Sequence, residues 1–192
     1  MSSFPLNMRK TVTVFGASNS RQSINKRLAS YAARQLADVA INLLDLNDYE
    51  MPIYSIDRQR EMGIPEAAYQ FKAELRKADG IIISFAEHNG AYSAAFKNIF
   101  DWVSRIESDV WMNKPMLLMA TSPGARGGRT VLEIAVNKFR FMNKNTILSF
   151  SLPSFNQNFS EQEGITDAEL AAVFHKQLHA FEAALDAEAI EV

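Results

Sequence analysis

The chain has 192 residues, 47% apolar and 22% charged, with a net charge of −2 and no cysteine. That length carries one domain with a full core, here expected over 1–192, and the composition is that of an ordinary globular protein. The charge excludes a whole-molecule basic field for nucleic acid, and the missing cysteines exclude disulfides, thiolate nucleophiles, cysteine-bound zinc and cysteine-ligated iron–sulfur clusters.

Arg9 and Lys10 precede an apolar run that Gly16 and Ser18 interrupt, too short for a signal-peptide core. Nothing approaches a membrane-spanning length, so a cytoplasmic protein without membrane contact is expected. Thr11 to Phe15 reads as a buried strand. Ile24, Leu28, Ala32 and Leu36 then recur as one face of a helix over about 23–37. Further strands are predicted at Ile41 to Leu46, Gly80 to Phe85, Pro115 to Thr121 and Thr146 to Leu152, and further helices at about 65–78, 91–106, 129–142 and 167–187. The last helix opens on a capping box, Thr166 with Glu169, before an apolar face of Leu170, Phe174, Leu178, Phe181 and Leu185. Near-continuous apolar strands alternating with helices predict a parallel sheet covered on both faces. Five such units make a three-layer α/β/α sandwich, and right-handed crossovers favour the strand order 2-1-3-4-5.

In such a sheet ligands bind at the carboxyl ends of the strands, beside strands 1 and 3. The loop after strand 1 runs Gly16-Ala17-Ser18-Asn19-Ser20-Arg21-Gln22-Ser23-Ile24-Asn25. It places hydroxyls, an amide and a guanidinium where a helix begins, and there unpaired N–H groups and the positive dipole end favour an anion. One serine would serve as an N-cap. Ser18, Ser20, Ser23 and Asn25 together exceed that need and point to a phosphate-bearing ligand.

The loops after strands 3 and 4 converge on the same edge. Ser122-Pro123-Gly124-Ala125-Arg126-Gly127-Gly128-Arg129 is glycine-rich enough for close backbone approach to a flat ligand, although a turn alone also uses glycine. Arg126 and Arg129 either meet a nucleotide phosphate or lie in solvent. In Glu87-His88-Asn89-Gly90 the adjacent acid and histidine need not face one another, so the loop reads as ligand lining rather than a catalytic dyad; Asn89 and Gly90 are also turn residues. His175 and His179 have a metal-ligand spacing but lie opposite the apolar face of the last helix, with no third ligand nearby in sequence, and read as a solvated polar face. The wide apolar stripe of Phe96, Ile99, Phe100, Trp102, Val103 and Ile106 reads as core packing, with a surplus available to a subunit contact.

Together these loops resemble the NAD(P)H-dependent FMN reductases, flavodoxin-like proteins that include chromate, quinone and azo-dye reductases. The resemblance covers nearly the whole chain. Its strongest block is Glu87 through Trp102, which resembles the family's Pro-Glu-Tyr-Asn loop running into Leu-Lys-Asn-x-Ile-Asp-Trp. Ser122-Pro123-Gly124 with Gly127-Gly128 resembles its third flavin loop, and Asp45-Leu46 with Pro52 and Tyr54 the segment after strand 2. The departures are Ser20 followed by Arg21 where the family carries its loop arginine one place earlier, Ala86 for proline and His88 for tyrosine.

The resemblance implies a flavodoxin-like fold whose first loop (Ser18, Ser20, Arg21, Ser23, Asn25) holds the 5′-phosphate of FMN. Glu87, His88, Asn89, Gly90, Ser122, Pro123, Gly124, Gly127 and Gly128 would then surround the isoalloxazine. It implies hydride transfer from NADPH or NADH to the flavin, then electron transfer to a small-molecule acceptor such as a quinone, free flavin or azo compound. No protein acid, base or nucleophile is expected, nor any metal ligand, since the flavin carries the chemistry. A homodimer or homotetramer with flavin sites near the subunit contacts is implied as well. The alternative is a flavodoxin-type electron carrier without its own NAD(P)H oxidation. A response regulator would need an acidic cluster at the ends of strands 1 and 3, and a dinucleotide-binding Rossmann domain a Gly-x-Gly-x-x-Gly turn; both are absent.

Overall fold

The computed structural model describes residues 9–187, so both ends of the expected 1–192 domain lie outside the described residues. In chain order the elements are β1 (Lys10–Ala17), α1 (Ile24–Gln35), β2 (Val39–Leu43), a 3-10 turn (Leu46–Tyr49), α2 (Ile56–Met62), α3 (Glu66–Lys77), β3 (Gly80–Phe85), β4 (Glu87–His88), β5 (Ala91–Tyr92), α4 (Ala94–Ile106), β6 (Met116–Thr121), α5 (Arg129–Met142), β7 (Ile147–Leu152), α6 (Phe155–Asn158), β8 (Phe159–Ser160), β9 (Gly164–Ile165) and α7 (Ala168–Ala187). The main sheet has five strands in the order β2-β1-β3-β6-β7. Its neighbouring strands pair in parallel, which is the predicted doubly wound arrangement.

Alternation along the central strands builds two cores. Val12, Val14, Ile82, Leu117 and Met119 pack under α1 and α7 with Leu28, Phe174, Leu178 and Phe181. Phe15, Ile81, Ile83, Phe85, Met116 and Leu118 face α3, α4 and α5 with Phe71, Phe96, Trp102 and Phe139. Because both faces are covered, β3 and β6 are buried along their whole length and read as unbroken apolar runs rather than alternating ones. No helix among the described residues is long and apolar enough to cross a membrane.

The differences from the sequence expectation are local. Residues 91–92 do not belong to α4: they pair with Glu87–His88 in a two-residue hairpin. Asn89 (φ 52°) and Gly90 (φ 76°) supply the two positive φ values that a type I′ turn requires. The helix starts after Ser93, whose hydroxyl accepts from Phe96 N–H and donates to Ala17 C=O at 2.8 Å, fastening α4 to the end of β1. The second strand ends at Leu43, and Asp45 caps a 3-10 turn by accepting from Asn47 N–H. Thr166 does not cap α7. The Asp167 carboxylate accepts from Leu170 N–H at 2.9 Å, while Thr166 bonds back to Gln157 and Asn158.

A buried lysine shapes the loop before β6. Lys72 Nζ donates to the carbonyls of Asp109 and Val110 at 2.8 and 2.9 Å and lies 3.2 Å from the Glu107 carboxylate. Burial lowers the Lys72 pKa, whereas hydrogen bonds from Arg76 and Lys72 lower that of Glu107.

Tyr92 carries an orphaned group. Its ring packs 5.6 Å from Phe85 and 5.2 Å from Phe96. Its buried hydroxyl has no partner among the described residues, and burial pushes its pKa up to about 12. Tyr92→Phe keeps the ring and removes the unpaired oxygen, so stability should rise by about 1 kcal/mol. Urea unfolding checks this: a higher midpoint at unchanged slope is expected, and a lower midpoint would mean that the hydroxyl has a partner.

Candidate functional site

The site is built at the carboxyl ends of β1, β3 and β6. Ser18 is nearly buried, and its Oγ accepts from Ser20 N–H at 3.1 Å. Ser23 is the N-cap of α1, its Oγ accepting from Lys26 N–H. Both hydroxyl protons remain free to donate, as does the exposed Ser20 side chain. Among the described residues the peptide N–H groups of Asn19, Arg21, Gln22, Ile24 and Asn25 have no acceptor. The first turn of α1 contains no acidic residue. Free donors and a positive dipole end therefore meet in one place, a donor set suited to a phosphate.

Asn25 stands at the centre with a different task. It is 3% exposed. Its Oδ1 accepts from Ser84 Oγ (2.8 Å) and Thr121 N–H (3.0 Å), and its Nδ2 donates to Thr121 C=O (3.1 Å). One amide thus knits the start of α1 to β3 and to the last residue of β6. Thr121 in turn donates its hydroxyl to Leu152 C=O at 2.7 Å.

Glu87 also acts within the protein. Its carboxylate accepts from Val131 N–H at 3.0 Å, in the first turn of α5, where the N-cap Gly128 has no side chain to offer. The β4–β5 hairpin is thereby fastened to α5. In the loop after β6, Gly127 (φ 59°) and Gly128 (φ 69°) adopt left-handed conformations. A Cβ on Gly127 would lie 2.6 Å from Ser151 Oγ and 2.8 Å from Pro153 N, and one on Gly128 3.0 Å from Ala120 Cβ. Their missing side chains let the loop close on β6 and β7. Gly124 is open, and its carbonyl accepts from Ser154 N–H and Gly127 N–H, which pins the exposed rim of the loop.

Eight of the predicted residues line one hollow of about 220 Å³: Ser18, Ser20, Ser23, Asn25, Glu87, His88, Ser122 and Pro123. Gln22, Ile24, Ala86 and Thr121, not among the predicted site residues, complete it. Arg21, Asn89, Gly90, Gly124, Gly127 and Gly128 are outside its lining. Arg21 instead lines an adjoining groove that runs along α1, and Asn89 and Gly90 form the hairpin tip. Arg126 donates to Thr130 Oγ1 at 2.7 Å, and Arg129 lines a depression against Ser149–Ser151. His179 Nδ1 lies 3.0 Å from Glu182 Oε2, so its close partner is a carboxylate of its own helix.

Two residues of the Glu87–Trp102 block have a positioning role. Asn98 donates to the carbonyls of Met51 and Pro52 and accepts from Tyr54 N–H, and Trp102 Nε1 donates to Pro52 C=O at 2.7 Å. They strap the segment after β2 onto α4. Lys26 bonds to Asp45; burial would raise the Asp45 pKa, but the bonds from Lys26 and Asn47 outweigh it and leave it lowered.

The sequence pattern of the NADPH-dependent FMN reductases matches residues 11–157. A quinone reductase of Escherichia coli K12 is 32% identical over 100 residues, 50% of this chain and 53% of that protein. A 2-hydroxy-1,4-benzoquinone reductase of a Burkholderia species is 34% identical over 122 residues, 62% of this chain and 64% of that protein. The chain thus spans between about half and just under two thirds of the length of these relatives. The flavoenzyme NAD(P)H:(acceptor) oxidoreductase FerB of Paracoccus denitrificans shares the fold, with a TM-score of 0.71 at 23% identity over 92% of this chain and 97% of that one.

Proposed function

Because the chain belongs to the NADPH-dependent FMN reductase family, we propose that it is a single-domain oxidoreductase that holds FMN and moves electrons from NADPH or NADH to a small planar acceptor. Quinones, free flavins and azo compounds are the acceptors we assign. The observation that carries this reading is the convergence of Ser18, Ser20 and the free peptide donors at the start of α1 with the loops after β3 and β6 in one hollow. FMN, when bound, supplies the chemistry by taking hydride from the nicotinamide and passing electrons to the acceptor.

The protein's part is to bind, orient and admit. Ser18 and Ser20 hydroxyls and the peptide N–H groups of Asn19, Arg21 and Gln22 hold the phosphate. The Glu87–Gly90 hairpin and Ser122–Gly124 border the ring system. Their positions are set by the Glu87 carboxylate on Val131 and by the Asn25 amide. His88 stands exposed at the lip, where an acceptor enters. A homodimer or homotetramer in the cytoplasm completes the proposal.

An anaerobic visible spectrum of the FMN-reconstituted protein, followed after NADPH is added and repeated with NADH, tests this. Rapid loss of the oxidised-flavin bands is expected. Bound FMN that neither nucleotide reduces would make the protein an electron carrier, and an FMN spectrum unperturbed by the protein would remove the flavin reading.

A further inference from the structure

The hollow does not end at Ser23. Across Gln22, Ser23 and Ile24 it adjoins a larger groove of about 580 Å³ along the outer face of α1. Ser23, Arg27, Ser30 and Arg34 recur there at helical spacing and form one stripe, with Arg21 at its start and Glu161 on the opposite wall. From Ser23 to Arg34 the stripe is about 16 Å long at 1.5 Å per residue.

The groove is strongly positive in a chain of net charge −2: Arg21, Lys26, Arg27 and Arg34 line it with Glu161 as the lone carboxylate of the lining. Lys26 is paired with Asp45, and Arg27 with Glu161 at 2.5 Å. The Arg27 guanidinium also lies 4.9 Å from the centre of the Phe155 ring, which fixes it in the wall. Arg21 and Arg34 have no ion-pair partner among the described residues, so within the groove these two guanidinium groups are open to an anion. Arg21 precedes a helix N-terminus, where a cation opposes the dipole unless an anion joins it. Arg34, in the last turn, is favoured by the dipole but also closes the groove whose far end is the phosphate cradle.

We propose that this groove is a second subsite, for the adenosine phosphate portion of a dinucleotide, with Arg21 and Arg34 meeting phosphate oxygens and Ser30 donating a hydrogen bond. The proposal rests on the flavin reading for its orientation: with the flavin phosphate in the cradle, the groove takes what lies beyond it, past Ser23 and along α1. Two ligands share this chemistry. One is flavin adenine dinucleotide with its FMN half in the hollow; the other is NADPH, whose extra phosphate separates it from NADH.

The test titrates ADP, FMN and FAD calorimetrically into the flavin-free wild type and Arg34→Ala, and compares KM for NADPH and NADH. Arg34→Ala is expected to weaken ADP binding about 10-fold, the loss of one charge-assisted contact, and to leave FMN binding unchanged. An equal loss for FAD identifies the flavin dinucleotide as the source. A rise in KM for NADPH alone, with FAD unaffected, identifies the nicotinamide dinucleotide. If ADP, FAD and NADPH are all indifferent to Arg34, the groove is a solvated basic face and the proposal falls. If FMN fails to bind while ADP binding depends on Arg34, the flavin reading falls and the groove stands.

Discussion

Replacing Asn25 by leucine is expected to destabilise the protein by about 3–5 kcal/mol and to weaken FMN binding with it. The side chain is buried and makes three hydrogen bonds, to Ser84 Oγ and to both peptide groups of Thr121. Leucine has nearly the same shape, so no large cavity opens. The cost comes from leaving a hydroxyl, an N–H and a C=O buried without partners, each worth about 1–3 kcal/mol. A full sum would overshoot, because Ser84 can rotate and the end of β6 can relax. Against a total stability of about 5–15 kcal/mol the loss is still large. Urea unfolding at neutral pH reads it as a lower midpoint at unchanged slope. A loss below about 1 kcal/mol would show that the strand ends hold together without this amide. The effect on FMN comes from position, since the same amide sets the first loop against the loop after β6.

The second large effect concerns affinity. Ser18→Ala with Ser20→Ala should weaken FMN binding about 100-fold, since each hydroxyl on a phosphate contributes about 1.5 kcal/mol or more and 1.4 kcal/mol is tenfold. Binding is not abolished, because the peptide N–H groups of Asn19, Arg21 and Gln22 remain. The fold should survive. Ser20 is exposed, and the Ser18 hydroxyl accepts locally, from Ser20 N–H within the same loop. Flavin fluorescence quenching measures the change. Unaltered affinity would move the phosphate away from this loop.

The layers and strand order were legible because two-sided burial leaves a plain signature: the runs Gly80–Phe85 and Met116–Thr121 are buried throughout, and helices α1, α3, α4 and α5 each have one apolar face. Helix α2 escaped because it buries no residue and so has no apolar period, although Ser55 and Gly63 mark its ends. The hairpin escaped because its strands are two residues each; Asn89-Gly90 was the available sign.

At the site, the residue types that favour phosphate were visible in the first loop. What they bond to was not. A buried asparagine that knits three elements and one that binds a ligand look alike in sequence. So do a glutamate lining a pocket and one capping a helix, and the need of α5 for Glu87 became visible only with Gly128 at its N-cap. In sequence Gly127 and Gly128 suggest a flat ligand, yet the contacts their missing Cβ atoms avoid are with Ser151, Pro153 and Ala120. Spacing groups Arg21 with the cradle, but Arg21 lines the adjoining groove along α1 and not the hollow.

The most direct measurement is the affinity of the flavin-free wild-type protein for FMN beside that for riboflavin, which differs only in lacking the phosphate. If the donors at the start of α1 hold that phosphate, FMN binds at least about 100-fold more tightly, the equivalent of two charge-assisted hydrogen bonds. Equal affinities would contradict the account, because the cradle would then contribute nothing to holding the flavin.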